Sequence, residues 1–591
     1  MNVSGPSSKG VGSALLGPGL DMPSQGIFSH ISGVSLAFGL SLIVVGFFVL
    51  VPTFLLLINS LIVGPMGEAG VWSLKNWADA LGNPKVRTTI WNTVTISLAH
   101  QSIALCAAIA ISWLIARTDL PGRNFFELGI WTAFFLPPLT AIIAWILVFD
   151  NFNGIANRLV EMLPFVEKGP FNIYSWWGIV WTHLVTTAIP AKVMLLTPVF
   201  RNMDSTLEEA SRASGSSTLG TLRRIVVPLM TPAILVVAVL GLIRALESFE
   251  IELILGFPVE IQVYSTLIYQ FVHEEPPHFG QATALAGMML LIVLPFVILQ
   301  QRYGQRNSYA TLSGKYKGEV VPLRRWKWPL FGVILTVTLT MTLLPMTLVV
   351  IGTFMTRFDR FAAAQPWTLK NWSNTLSSAR FGDAFINTLM IGAGAAIFAV
   401  VVFSLVAYLT LHAAKRWRDL MDVLVWLPAT LPGIILSLGY LWLFLGTPWL
   451  RPLYGTTWIL ILVVALSVMT VSTQIIKSNL VQLGLELEQA SWSSGATRMF
   501  TFRRIVVPLI FPSLVVVGTL AFANAVRVTS YIALLSTSGN QPLSMLQLEY
   551  TSDGRLESAS VIGVIVMTLT IGAAILASGV GSRVGLRSNT H

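Results

Sequence analysis

The sequence predicts an all-α membrane protein whose twelve transmembrane helices form two parallel six-helix repeats. Three observations carry that expectation: the scarcity of charge, the spacing of apolar runs, and a segment that occurs twice. Of the 591 residues, 54% are hydrophobic and 11% are charged, against roughly 25% charged in soluble proteins. A chain this long cannot cover an aqueous surface with so little charge, so it belongs in lipid. At about 20 apolar residues per span, twelve spans use about 240 residues and leave ample chain for loops. No stretch is long and polar enough to form a large soluble domain on a single anchor. The lone cysteine, Cys106, excludes an intrachain disulfide and a cysteine-based metal site.

The elements follow in order. Residues 1–33 open with a Gly/Ser/Pro-rich stretch that lacks an apolar core, which reads as a disordered cytoplasmic tail rather than a signal peptide. The first six-helix half, 34–300, has apolar runs at about 34–63, 88–116, 125–149, 176–200, 225–249 and 279–300. Prolines such as Pro137, Pro138, Pro190 and Pro295 fall inside or near the ends of these runs, where a helix bundle tolerates them. A polar segment, 301–328, carries Arg302, Arg306, Lys315, Lys317, Arg324, Arg325 and Lys327 and reads as a cytoplasmic linker. The second half, 329–580, has runs at about 329–353, 384–411, 420–446, 456–476, 505–528 and 557–580, and 581–591 is a short cytoplasmic tail. The net charge of +10 fits the positive-inside bias of a membrane protein before it suggests nucleic acid. An inverted topology places the seven basic residues of the linker outside, against that bias, so both termini are expected in the cytoplasm.

The halves are internal repeats. Leu207–Pro232 aligns without gaps on Leu487–Pro512 at an offset of 280, with 15 of 26 positions identical. Trp72–Trp77 (WSLKNW) matches Trp367–Trp372 (WTLKNW) at an offset of 295, as Asn92-Thr93 matches Asn387-Thr388. The difference is extra chain between about 146 and 176, in an external loop. Six spans per half give both halves one orientation, with a pseudo-two-fold axis along the membrane normal and a central path. The Trp-x-Leu-Lys-Asn-Trp repeats fit interfacial aromatic anchors, or a contact with an external protein.

The duplicated segment reads Leu-Glu-x-Ala-Ser-x-x-Ser-Gly, then Arg-Arg-Ile-Val-Val-Pro-Leu. Glu208, Glu209 and Glu488 suit a helix N-terminus, and Gly215 and Gly495 suit a helix end or sharp turn. A helix, a glycine turn and a second helix leading into the next span make a knob on the membrane surface. The plain alternative is a basic surface loop, which does not account for two copies more alike than the spans flanking them.

This segment resembles the EAA loop of binding-protein-dependent ABC importer permeases: Glu-Ala-Ala, a glycine six residues after the glutamate, then an Ile-x-x-Pro step. The first copy has Glu209-Ala210-Ser211, Gly215 and Ile225-Val226-Val227-Pro228. The second has Gln489-Ala490-Ser491, preceded by Glu488, then Gly495 and Ile505-Val506-Val507-Pro508. The twelve-span layout and Ser248–Gly256 (SFEIELILG) further resemble the fused ferric-iron-type permeases. The resemblance implies a type I ABC importer fold whose knobs dock into two cytoplasmic ABC ATPase subunits. It implies a solute-binding protein, periplasmic or lipid-anchored, that delivers a small polar solute, ferric iron first and an organic ion such as a phosphonate or polyamine second. The place it implies is a bacterial cytoplasmic (inner) membrane.

No Gly-x4-Gly-Lys-Ser/Thr phosphate loop occurs, so neither a nucleotide site nor catalysis is expected in this chain; ATP and Mg belong on the partner. No cofactor or resident metal is expected either. His273 and His278 are five apart with two prolines between them, which reads as a solvated loop. The rivals are a twelve-span secondary transporter driven by an ion gradient, which leaves the knobs unexplained, and a membrane-embedded enzyme, which lacks a convergent His/Asp/Glu cluster.

Charges inside spans are functional candidates. The fifth span ends Arg244-Ala-Leu-Glu247-Ser-Phe-Glu250-Ile-Glu252. At the offset of 280, Glu247 corresponds to Arg527 and Arg244 to Asn524. The resemblance places these helices beside the pore, where Glu247 and Arg527 meet as an external gate or else snorkel separately to water. Lys192 in the fourth span is expected to snorkel or to pair with a carboxylate.

Overall fold

The computed structural model describes residues 33–64, 70–203, 206–306, 320–358 and 365–583. Most of the two tails and the middle of the linker therefore lie outside the described residues. Within them the regular secondary structure is helical, apart from one short antiparallel pair, Ile62–Val63 with Val71–Trp72, and isolated bridges.

Eight of the described helices are long and apolar enough to cross a membrane: Leu36–Ser60, Pro84–Arg117, Trp176–Arg201, Leu222–Leu246, Phe279–Phe296, Arg324–Thr353, Ala379–Leu411 and Leu556–Leu576. Four bent pairs bring the count to twelve when each is one span: Arg123–Phe135 with Pro138–Phe149, Lys415–Thr430 with Gly433–Gly446, Thr457–Ser467 with Met469–Leu483, and Arg498–Leu509 with Phe511–Arg527. The all-α, two-repeat architecture is thus the observed one. Spans are numbered 1–12 below in chain order.

Spans 3 and 9 bend by 101° and 109°. The cause is shared. Leu136 and Leu431, 295 apart, both precede a proline and both adopt extended backbone. A proline clashes with an α-helical residue before it and offers no N–H to the ladder, so the helix stops and restarts. The restarted arms, Pro138–Phe149 and Gly433–Gly446, are apolar all round and buried along nearly their whole length. A helix without a polar face needs cover on every side.

That cover comes from the opposite half. The arm of span 9 packs against span 1, where the Tyr440 hydroxyl donates to the Phe48 carbonyl at 2.7 Å, and Trp442 Nε1 donates to Thr283 Oγ1 of span 6 at 3.0 Å. Reciprocally, the arm of span 3 packs against spans 7 and 12, and Gln547 Nε2 donates to Thr140 Oγ1 at 3.1 Å. Each half thus inserts a bent arm into the other.

The linker's described end is tied to the first half. The Val321 N–H donates to the Arg117 carbonyl at 2.8 Å, the Leu323 N–H to Asp119 Oδ1 at 2.8 Å, and Lys327 Nζ to Asp119 Oδ2 at 3.0 Å. The Leu323 N–H, with Lys327, holds the Asp119 carboxyl below its ordinary range. The repeated tryptophan motif also has an internal role. Asn76 Nδ2 donates to the Ile62 carbonyl and Asn371 Nδ2 to those of Thr353 and Met355, closing the exits of spans 1 and 7, while Trp72 and Trp367 are exposed.

Candidate functional site: two knobs and a charged belt

Both copies of the duplicated segment fold alike. In the first, helix Thr206–Ala213 is followed by Gly215 at φ +83° and the short helix Thr218–Thr221. In the second, Glu486–Ser493 is followed by Gly495 at φ +86° and Arg498–Thr501. Positive φ is the glycine requirement anticipated from the motif. After the turn the Ser216 N–H donates to the Ser211 carbonyl, as the Ala496 N–H does to Ser491. The hydroxyls of Ser211 and Thr221 stand 2.9 Å apart and those of Ser491 and Thr501 2.8 Å, clamping the two helices of each knob. The chain then widens to a π-turn at Leu222–Val226 and at Phe502–Val506 before Pro228 and Pro508, which have no N–H for the helical ladder.

The acidic residues at the knob entrance divide by direction. Glu209, Ala210 and Gly215 are exposed, as are Gln489, Ala490 and Gly495. Glu208 and Glu488 instead turn inward, 1% and 8% exposed. The resemblance implies that the acidic residues of the motif take part in docking, but a carboxylate one residue earlier on a helix points about 100° away from its neighbour, so Glu208 and Glu488 lie off the exposed face. Glu208 Oε2 accepts from Arg117 Nη2 at 2.6 Å, and Glu488 Oε2 accepts from the Tyr408 hydroxyl at 2.9 Å and lies 3.0 Å from His412 Nε2.

At the other end of the spans, the charges do not meet as expected. Glu247 is bound by Arg244 of its own helix at 2.9 Å, and Arg527 donates to the Phe134 carbonyl at 2.8 Å with its guanidinium over the Phe134 ring. The expected Glu247–Arg527 pair is therefore not formed. Arg244, three residues before Glu247, is its neighbour on the next turn, and its charge is satisfied there. Asn524 donates to Ser467 within the second half at 2.9 Å. Two contacts in this belt join the halves: Arg527 to the Phe134 carbonyl, and Glu250, which accepts a hydrogen bond from the Thr529 hydroxyl with Arg527 in electrostatic reach.

A buried polar chain that the motif reading did not assemble lies within the first half. Lys192 donates to Gln101, whose amide contacts His100 at 3.1 Å. His100 stacks on His183, and His183 Nε2 lies 2.8 Å from Glu252 Oε1, while Ser248 donates to the same carboxylate. Lys192 thus neither snorkels nor pairs with a carboxylate: it is 3% exposed and too deep to reach water. The available signal was asymmetry. At the repeat offsets, His100, His183 and Glu252 fall on Ala395, Val463 and Ile532. His273 and His278 stay on the surface, and among the described residues no cluster of three His, Cys, Asp or Glu is placed to hold a metal ion.

Comparison with known proteins places the geometry in a family. Residues 108–309 and 400–585 each match the model of the binding-protein-dependent transport system inner membrane component. A probable ABC transporter permease protein of Sinorhizobium fredii is 23% identical over 78% of this chain and 81% of its own. A ferric transport system permease protein of Actinobacillus pleuropneumoniae is 23% identical over 83% of this chain and 70% of its own. A sulfate transport system permease protein of Salmonella typhimurium is 24% identical, over 46% of this chain and 95% of its own. Two matched segments, one in each half and together most of the chain, carry the two knobs, and the protein belongs to the inner membrane components of binding-protein-dependent transport systems, the permeases of ABC importers.

Proposed function

We propose that this permease moves ferric iron across a bacterial cytoplasmic (inner) membrane, with both termini cytoplasmic. The knobs are coupling helices on the cytoplasmic side that dock into two ABC ATPase subunits. Those subunits hold ATP and Mg, and this chain contributes no nucleotide site and no cofactor. The solute arrives on an external binding protein, periplasmic or lipid-anchored; lipid surrounds the spans and nucleic acid plays no part.

The observation that carries this reading is the pair of knobs, which share their turn, clamp and exposed face at two places related by the repeat. ATP binding draws the ATPase subunits together, the knobs follow, and one half rocks against the other. Arg244, Glu247, Glu250, Asn524 and Arg527 mark the pathway or gate region, with Glu250–Thr529 and Arg527–Phe134 as contacts between the halves that part when the external side opens. Ferric iron ranks above an oxyanion because the relative named for ferric transport aligns over both halves, whereas the one named for sulfate aligns over less than half of the chain.

The test is uptake by proteoliposomes containing the permease, its ATPase subunits and the cognate binding protein. ATP-dependent accumulation of labelled ferric iron, absent without the binding protein, is the expected result. ATP-dependent uptake of sulfate, phosphonate or polyamine without iron uptake overturns the substrate. Uptake driven by an ion gradient without the ATPase overturns the mechanism.

A further inference from the structure

The inward carboxylates of the knobs meet partners that the repeat itself relates. Arg117 and His412 are 295 residues apart, the offset that pairs the tryptophan motifs. Arg117 is the last residue of span 2, and His412 directly follows span 8. Arg117 holds Glu208 at 2.6 Å and also donates to the Met203 carbonyl, just before the knob, at 3.2 Å. His412 stands 3.0 Å from Glu488. Arginine is thus replaced by histidine at an otherwise equivalent joint, and Trp113 of the first half is replaced by Tyr408, whose hydroxyl donates to Glu488.

We propose that Arg117 and His412 are positioning residues that lock each knob to the second span of its own half, the first lock being permanent and the second dependent on a protonated histidine. This rests on the reading of the knobs as docking elements for the ATPase. The geometry explains the lock. Glu208 and Glu488 lie in the first turn of their knob helices beside the outward Glu209 and Gln489, so fixing the inward side chain fixes the azimuth of the outward face. A force on the knob then reaches span 2 or span 8 as well as the span that follows it in sequence.

The histidine's tautomer makes the second lock conditional. His412 Nδ1 donates to the Tyr408 carbonyl at 2.8 Å, so in the neutral ring the bare Nε2 lone pair faces the Glu488 carboxylate. Only the protonated ring presents an N–H there. The other groups around it are Tyr408, Trp492 with its ring centroid 5.9 Å away, Arg498 over that tryptophan, and Arg418, which donates to the Ala413 carbonyl. Glu488 beside the ring pushes His412 above its ordinary value, while Arg498 opposes it.

Two measurements on the full chain separate the lock from the docking reading. The first is amide exchange of the knob helices in the purified permease without ATPase, with the second knob normalised to the first. Arg117→Ala and His412→Ala should each lower protection of their own knob several-fold and spare the other. In the wild type the second knob alone should lose protection as pH rises above the ordinary histidine range. His412→Arg should abolish that pH dependence, and Arg117→His should transfer it to the first knob. Unchanged protection in both alanine variants overturns the lock, and a pH-independent second knob overturns its histidine dependence.

The second measurement is solute moved per ATP hydrolysed by the reconstituted complex. A several-fold fall in Arg117→Ala and His412→Ala, with the ATPase still bound, supports the link from knob to span. Lost protection with an unchanged ratio leaves the lock standing and overturns its part in coupling. Failure of the wild-type knobs to cross-link to the ATPase overturns the docking reading instead.

Discussion

Glu247 and Glu250 are three residues apart, and the structure gives them different work. Glu247 closes on Arg244 within one helix, whereas Glu250 reaches Thr529 in the other half. A double-mutant cycle on basal ATP turnover of the reconstituted complex separates them. Glu250→Ala with Thr529→Val should show a coupling of about 1 kcal/mol, roughly fivefold in rate, because both remove one contact. Glu247→Leu with Arg527→Leu should show coupling near zero, since each has another partner. A reversed pattern removes Glu250 from the gate. His412 supplies the pH prediction at this scale. Its native value is raised, so its contribution to stability is fully present below the ordinary histidine value of about 6.5 and is lost as pH rises through the raised native one. The gap in thermal midpoint between wild type and His412→Ala should therefore be widest in mild acid and narrow in base. A gap independent of pH refutes the charged contact.

The knobs behave as elements. A Cβ at Gly215 or Gly495 meets open space, so substitution costs only the strain of positive φ, about 1 kcal/mol for alanine. Gly215→Ala and Gly495→Ala should lower the thermal midpoint to a similar, small extent. Gly215→Asp and Gly495→Asp add a charge on the exposed face. They should abolish transport and recovery of the ATPase in a pull-down while leaving membrane insertion intact; normal transport in both sinks the docking role. The bent arms are a second kind of element. Tyr440→Phe removes the bond to the Phe48 carbonyl and should cost about 1 kcal/mol in thermal stability, through an acceptor that belongs to the other half. No change in midpoint shows that water or another donor satisfies that carbonyl.

At the scale of the whole molecule, the purified chain should neither bind nor hydrolyse ATP, and turnover should appear only on adding the ATPase subunits. Hydrolysis by the chain alone, free of contaminating ATPase, refutes its assignment as the subunit without a nucleotide site. The repeat and the spans were legible because apolar runs and duplicated motifs are properties of the chain read linearly. Gly215 and Gly495 were legible because positive φ restricts residue identity at a single position. The sequence by itself therefore determined the all-α class, the duplication and the knob turns. Only the tertiary structure decided which groups meet. Glu247 had a partner on its own helix, Arg527 found the backbone carbonyl of Phe134, and spans 3 and 9 bent at equivalent leucines to exchange arms between halves. A charge is satisfied by whichever donor or acceptor lies within about 3 Å, and that distance is set by the packing of helices far apart in the chain, which no local pattern records.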